Sequence, residues 1–330
     1  MNNFQAVVAV AHQQPFELQT LSMLEPGVGQ VRVRVIASAV NPLDTKILAG
    51  KGAHARQALP AVLGMDLAGV VDKVGAGVTA FNVGDEVYGM AGGIGGNPGA
   101  LAQYIVTDAD LLARKPGNLS MREAAALPLV FITAWEGLVD RANVRSGQTV
   151  LIHGGSGGVG HVAVQIANAR GARVFATGSA QSLATIEGLG ATAIDYRAST
   201  VDDYVAQHTD GEGFDIAYDT VGGSTLDASF AAVKIYTGHV LSCLGWGEHK
   251  LAPLSFRGAT YSGVFTLLPL LTGKGRKHHG EIMAEATRMA EAGQLRVLLD
   301  DQRFSLAQAN QAYERVSKGG NRGKVVIDIA

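Results

Sequence analysis

The stretch QTVLIHGGSGGVGHVAVQIANARGARVFATG, residues 148–178, decides the fold. Thr149 to Ile152 form a short apolar run suited to a buried parallel strand, and Gly155, Gly157 and Gly160 follow at once in G-x-G-x-x-G spacing. A helical segment from His161 to Arg170 stops at Gly171, and Arg173 to Thr177 supply a second β-prone run. Strand, glycine loop, helix and second strand in that order are the opening unit of a dinucleotide-binding fold. In such a unit the first glycine permits a sharp turn, the second removes a side chain that would hold a pyrophosphate away, and the third lets helix and strand touch. The loop residues Gly155, Ser156, Gly157, Gly158, Val159 and Gly160 are therefore expected to bind the phosphates, at the positive end of the helix that follows.

The second strand ends Ala176-Thr177-Gly178-Ser179, with no acid to hold a ribose 2′-hydroxyl. A small hydroxyl residue leaves room for a 2′-phosphate, which favours NADPH, with Ser179 and Tyr196 as contacts. No cation follows Ser179 directly, and Arg197, equally readable as a solvated loop charge, is the candidate counter-charge.

Outward from this unit, strand-like and helix-like runs alternate as Ser182–Leu189, Phe214–Asp219, Thr225–Val233 and His239–Leu244, the pattern of a doubly wound parallel sheet. Before it lie short β-like runs with little helix between them, at Ala6–Val10, Val31–Val35, Gly69–Val74, Asp85–Tyr88 and Gln103–Val106, which suggest a compact antiparallel or barrel-like domain. Ser120 opens a capping box with Glu123, for a helix expected to stop at Pro128. Near the end, helices are expected at Glu281–Ala292 and from Ser305 to Gly319, and Lys324–Ile329 reads as a strand returning to the first domain. Arg276-Lys277-His278-His279 reads as a solvated turn, and the glycine-rich run from Gly89 to Gly99 as a flexible connector.

The 330 residues favour two domains, and 47% hydrophobic with 17% charged residues describes ample core. A formal charge of −2 argues against nucleic acid or an anionic membrane as the main partner. One cysteine, Cys243, excludes an internal disulfide and a cysteine-rich zinc site, and fits a reducing cytoplasm. No run reaches the length of a membrane span, and the first ten residues lack a basic leader segment.

Several segments, in order and spacing, resemble the zinc-independent quinone oxidoreductases of the medium-chain dehydrogenase/reductase superfamily, the group that includes zeta-crystallin. They are Ala39-Val40-Asn41-Pro42-Leu43-Asp44-Thr45-Lys46, Gly64-Met65-Asp66-Leu67-Ala68-Gly69-Val70-Val71, Val83-Gly84-Asp85-Glu86-Val87-Tyr88-Gly89, Thr133-Ala134-Trp135-Glu136-Gly137-Leu138, the Gly154 to Gly160 loop, and Arg322-Gly323-Lys324-Val325-Val326. The resemblance implies an α/β chain with a discontinuous GroES-like catalytic domain, residues 1–121 and 265–330, and an inserted Rossmann domain, residues 122–264. It implies NADPH and commonly a homodimer joined along the Rossmann sheet edge.

By the same resemblance Asn41, Asp44 and Lys46 line the cleft near the nicotinamide and are the catalytic candidates. Thr133, Leu244, Gly245, Trp246, Phe265, Arg322 and Lys324 are expected around the cofactor. Asp-x-Lys at 44–46 is closer to the alkenal/enone reductase branch than to quinone reductases that carry Tyr in place of Lys46. Zinc-bearing relatives have a cysteine ligand in the first segment, where this chain reads Ala39-Val40-Asn41-Pro42, and His54 and His153 have no partner at ligand spacing. No metal is expected. Without a Lewis acid, alcohol oxidation is hard, whereas hydride delivery to a quinone or an α,β-unsaturated carbonyl needs only hydrogen-bond donors for the developing charge. A non-catalytic NADPH-binding sensor or structural protein of the same fold is the rival reading, and a zinc-dependent alcohol dehydrogenase a weaker one.

Overall fold

The computed structural model describes residues 3–329, which fall into two compact units. Unit 1 holds residues 3–129, Leu267–Gly293 and 297–329; unit 2 holds Val130–Thr266 and Gln294–Arg296.

Unit 1 is built on two sheets. In the larger, the neighbouring strands are Phe304–Ser305, Val326–Asp328, Gln30–Ala39, Asp66–Val74, Glu86–Met90 and Leu112–Arg114, with Tyr104–Asp108 also paired to Gln30–Ala39. Every pairing is antiparallel except the parallel contact of Phe304–Ser305 with Val326–Asp328. The alternation in Val31-Arg32-Val33-Arg34-Val35 puts the valines at 0% exposure on the core face, as a two-residue period requires. The smaller sheet joins Glu17–Ser22, Asn3–Ala9 and Ala61–Val62.

Unit 2 is a six-stranded, wholly parallel sheet. Its order is Thr192–Asp195, Arg173–Gly178, Thr149–His153, Ile216–Asp219, His239–Ser242 and Thr260–Gly263. Numbered along the chain these strands run 3-2-1-4-5-6, the dinucleotide-binding order, in which ligands gather at the carboxyl ends of the strands where the order reverses. Thr149–His153 is buried throughout, matching its near-continuous apolar sequence. Among the described residues no helix is long and apolar enough to cross a membrane.

Several local readings need correction. Pro128 ends one helix, Met121–Ala125, but also opens the next, Pro128–Trp135, because its fixed φ and missing N–H suit a first turn. The basic run at 276–279 is no solvated turn: the helix starts at Arg276 and runs to Glu291, with His279 buried and Arg276 bound to Asp108 at 2.9 Å. The glycine-rich run is packed rather than loose. Residues Gly89 and Met90 belong to a strand, Ala91 and Ile94 are buried, and Asn97 donates to the carbonyls of Ile94 and Leu270. A Cβ on Gly92 would lie 1.8 Å from the Pro98 carbonyl oxygen, so that glycine serves close packing. The first nucleotide helix begins at Gly158, ahead of His161.

Candidate functional site

In unit 1 the short helix Pro42–Leu48 follows the sheet strand Gln30–Ala39 and is entered through Asn41. The Asp44 carboxylate turns back to accept the Asn41 backbone N–H at 2.8 Å, which fixes the first turn and points both side chains inward. Asn41 is 1% exposed and Asp44 0%. The Asn41 side-chain amide donates to Asp66 Oδ2 at 2.9 Å, and its carbonyl oxygen accepts from Lys324 Nζ. Lys324 Nζ also lies 3.9 Å from Asp66 Oδ2, and Asp66 Oδ1 accepts the Leu129 backbone N–H at 2.9 Å. Lys324 arrives from just ahead of the closing strand, 283 residues from Asn41.

Two carboxylates and one ammonium thus share a buried cluster. Burial pushes Asp44 up to about 7, with the Asp66 charge adding to the rise and the Asn41 amide and Lys324 opposing it. Burial likewise lifts Asp66 to about 6 against the pull of Lys324 and Asn41. Lys324 is lowered by burial and held up by the two carboxylates. Among the described residues, Asp44 Oδ1 and the Tyr313 hydroxyl, on the helix Ala309–Lys318, are buried without a hydrogen-bond partner, and the Asp44 charge adds to the burial that drives the Tyr313 phenol upward.

The cluster joins Asn41, Asp44 and Lys324 from the sequence reading and adds Asp66, which that reading missed. The available signal was an acid directly ahead of the apolar run Leu67–Val71, in the strand Asp66–Val74, the kind of residue that is buried only when paired. Lys46 stands apart. It is exposed on the same short helix and close enough to His54 that its charge, after burial, lowers the imidazole pKa. Arg322 is also exposed, its backbone N–H donating to Asp300.

In unit 2 the glycine loop has the close approaches its spacing predicts. A Cβ on Gly155 would meet Ala176 Cβ at 2.6 Å, and one on Gly160 would sit 2.0 Å from the Gly154 carbonyl oxygen. The helix Gly158–Ala169 starts from Gly157, which lends no side-chain cap, so its first N–H groups stay available to an anion. These residues fit a dinucleotide: backbone donors, a glycine cradle and a helix end converge beside the first strand.

The carboxyl edge of the same sheet gathers other expected residues. Thr133 Oγ1 is 3.5 Å from Thr266 Oγ1, and Phe265 next to it meets Trp246 edge-on at 6.0 Å. Tyr218 donates to the Thr133 carbonyl at 2.7 Å, and its ring fills the space a Cβ on Gly137 would need. Asp219 fixes the next loop, accepting from the Val221 and Gly222 amides and from Ser242 Oγ at 2.7 Å. Tyr196 bonds through its N–H to the Gly178 carbonyl, which brings it beside Ser179, and Arg197 lies 5.6 Å over the Tyr196 ring. Among the described residues no cluster of three His, Cys, Asp or Glu is arranged to hold a metal.

Residues 27–117 match the alcohol dehydrogenase GroES-like domain, and residues 189–327 match the zinc-binding dehydrogenase family. A 2-methylene-furan-3-one reductase from Solanum lycopersicum is 36% identical over 308 residues, 90% of this chain and 71% of the relative. The chain belongs to the medium-chain dehydrogenase/reductase superfamily. Within the superfamily, a crystal structure of an alcohol dehydrogenase superfamily protein from Novosphingobium aromaticivorans has a TM-score of 0.97 at 55% identity, covering 99% of this chain and 100% of that one. The quinone oxidoreductase of Coxiella burnetii is similar at TM-score 0.84 and 28% identity, covering 100% of both chains. CurK enoyl reductase is similar at TM-score 0.86 and 26% identity, again over 100% of both. Phthioceranic/hydroxyphthioceranic acid synthase of Mycobacterium tuberculosis is 34% identical over 96% of this chain, which spans only 15% of that relative's length. Superfamily members use a nicotinamide cofactor.

Proposed function

We propose that the chain is an NADPH-dependent, zinc-free reductase that delivers hydride to a quinone or an α,β-unsaturated carbonyl. The observation that carries this reading is the Lys324–Asn41–Asp66 trio. Asn41 occupies the segment where zinc-bearing relatives place a cysteine ligand, and both atoms of its amide are already engaged, one by an ammonium. A divalent ion there would face a fixed cation and an N–H donor, so the residues do not fit zinc. The cluster supplies the Lys324 ammonium and the Asn41 amide as donors beside two carboxylates, a set suited to an acceptor that spreads its developing charge over a conjugated oxygen.

Bound NADPH supplies the hydride. The Gly155 to Gly160 loop and the first turn of its helix hold the pyrophosphate. Thr133, Leu244, Gly245 and Phe265 orient the nicotinamide end and exclude water. Ser179 and Tyr196 take the adenosine ribose, with Arg197 as the cation for its phosphate. Asn41, with Asp44 behind it, is placed toward the acceptor, and Lys46 lies exposed on another face of the same short helix. The enone side of the reading draws on the tomato furanone reductase and CurK, the quinone side on the Coxiella protein. A homodimer through the edge strand Thr260–Gly263, where Tyr261 is 38% exposed, completes the proposal.

Following cofactor absorbance with NADPH or NADH against a panel of quinones and enones tests donor and acceptor together. Turnover with NADPH in chelator-treated protein is expected. Tight NADPH binding without turnover across the panel would instead favour the sensor reading.

A further inference from the structure

In unit 1 the helix Ala309–Lys318 packs against the short helix Pro42–Leu48 that carries Asp44. It turns Ala309, Ala312 and Tyr313 inward, the three- and four-residue spacing of a buried stripe. A loop stitches the two helices together. The Gln13 N–H donates to the Leu48 carbonyl at 2.8 Å, His12 Nδ1 lies 3.1 Å from the Ile47 carbonyl oxygen, and the Phe16 N–H donates to Asn310 Oδ1 at 2.9 Å. Phe16 also meets the Tyr313 ring edge-on at 4.7 Å, which fixes the ring in place.

A tyrosine in such a place normally carries its hydroxyl to water or to a partner. Tyr313 is 3% exposed, and among the described residues its hydroxyl has none. Phenylalanine would fill the same space and bury no polar atom, so packing alone does not account for the hydroxyl. Asp44 is in the same position one helix away. Its Oδ2 takes the Asn41 N–H, while Oδ1 is buried with no partner among the described residues. The two stranded atoms sit on packed neighbours, and the charge that reaches the Tyr313 phenol is that of Asp44. No direct hydrogen bond joins them. Buried polar atoms left over in this way are served by an internal water, which needs two to four polar contacts.

We propose that a buried water molecule links the Tyr313 hydroxyl to Asp44 Oδ1, and that Tyr313 is thereby a positioning residue for the Asn41–Asp44–Asp66–Lys324 cluster. The phenol donates to the water and the water to Oδ1. With Oδ1 engaged, Asp44 keeps Oδ2 on the Asn41 N–H, and the Asn41 amide stays aimed between Asp66 and Lys324. Asp66 and Lys324 are the charged groups facing Asp44, and Tyr313 is the titratable group on the opposing helix. Glu314 and Arg315 of that helix are engaged by Lys318 and Asp300, Lys46 is exposed on the other face of the short helix, and His12 meets the helix at Ile47. The effect on the acceptor rests on the reductase reading; the water link does not.

Tyr313→Phe keeps the ring and removes only the hydroxyl, and its first readouts need no turnover. A donor delivered through water favours the charged carboxylate, so losing it should raise the proton affinity of Asp44 roughly tenfold. In infrared difference spectra the carboxyl stretch assigned with Asp44→Asn should then titrate about one pH unit higher than in the parent. In denaturant titration the variant should lose little at pH 5, where Asp44 is protonated in either protein, and progressively more up to pH 8. In an Asp44→Asn background the loss should no longer depend on pH. A loss that is constant with pH in both backgrounds, or a stretch whose midpoint stays or falls, would overturn the inference, because Tyr313 would then only fill space. A high-resolution crystal structure of the parent should show a water within hydrogen-bond distance of both atoms, and a dry gap there would overturn it too. With an enone, deprotonated Asp44 adds negative charge beside the developing enolate, so the alkaline fall of kcat should move upward with the stretch. No turnover alongside an intact infrared shift would count against the reductase reading alone.

Discussion

The acid–amide–lysine cluster of unit 1 and the glycine cradle of unit 2 are both expected to serve one reaction, yet they are built in opposite ways. The cradle is backbone: its specificity lies in side chains that are missing, and every member falls within a dozen residues. The cluster is side chain, its members drawn from positions 41, 44, 66 and 324, and its character comes from burying charge. Local geometry is cheap to specify in sequence, whereas a buried charge survives only when distant partners meet it. The cradle should therefore fail by steric conflict and the cluster by electrostatic imbalance.

The largest effect is expected from unpairing the cluster. Lys324→Met leaves two buried carboxylates without their cation and should destabilise unit 1 by about 3–5 kcal/mol in denaturant titration. Adding Asp66→Asn should return a large part of that loss, because the pair is then neutral; a double variant as unstable as the single one would contradict the pairing. Next comes the cradle. Gly160→Ala puts a methyl 2.0 Å from a carbonyl oxygen and should cost about 1–3 kcal/mol together with much of the NADPH affinity. Gly188→Ala is its control: a Cβ there meets nothing within 4 Å at the end of the Leu183–Gly188 helix, and the change should be neutral or stabilising by up to about 1 kcal/mol.

The cluster should also give stability a pH dependence that the cradle does not. Asp44 and Asp66 are raised from an ordinary 3.8 to about 7 and about 6, so the folded protein holds protons there that the unfolded chain has released. Their contribution is complete below about pH 4 and is lost as pH rises through 6 and 7. Denaturation midpoints measured from pH 5 to 8 should fall across that window, and Asp44→Asn should flatten the slope. A slope unchanged in that variant would place the titration elsewhere. The smallest effect concerns the ribose end. Arg197→Ala should reduce the preference for NADPH over NADH by about tenfold, equivalent to about 1.4 kcal/mol; an unchanged ratio would return Arg197 to the solvent.

The same contrast explains what the sequence revealed. Gly155, Gly157 and Gly160 were legible because turn, phosphate approach and helix contact impose a fixed spacing, and the parallel strands around them announced themselves by apolar runs. Asp66 was hidden, since its burial depends on Asn41, Lys324 and the Leu129 amide, which only the folded chain brings together. Lys46 shows the converse: its spacing from Asp44 suggested a shared site, but two residues along a helix point to different faces, and one is buried while the other is exposed. The helix start at Arg276 escaped notice because Gly275, at φ 82°, ends the preceding turn without a side-chain cap. Pro128 read as a stop because a proline both ends one helix and begins another.

The most direct test of a metal-free cluster is NADPH oxidation by an enone, followed in protein stripped of metal and then supplied with zinc. The account predicts a kcat unaffected by stripping and not raised by zinc, with Lys324→Met inactive in both conditions. Activity that disappears on stripping and returns with zinc would mean that a metal, and not the Lys324 ammonium, supplies the positive charge.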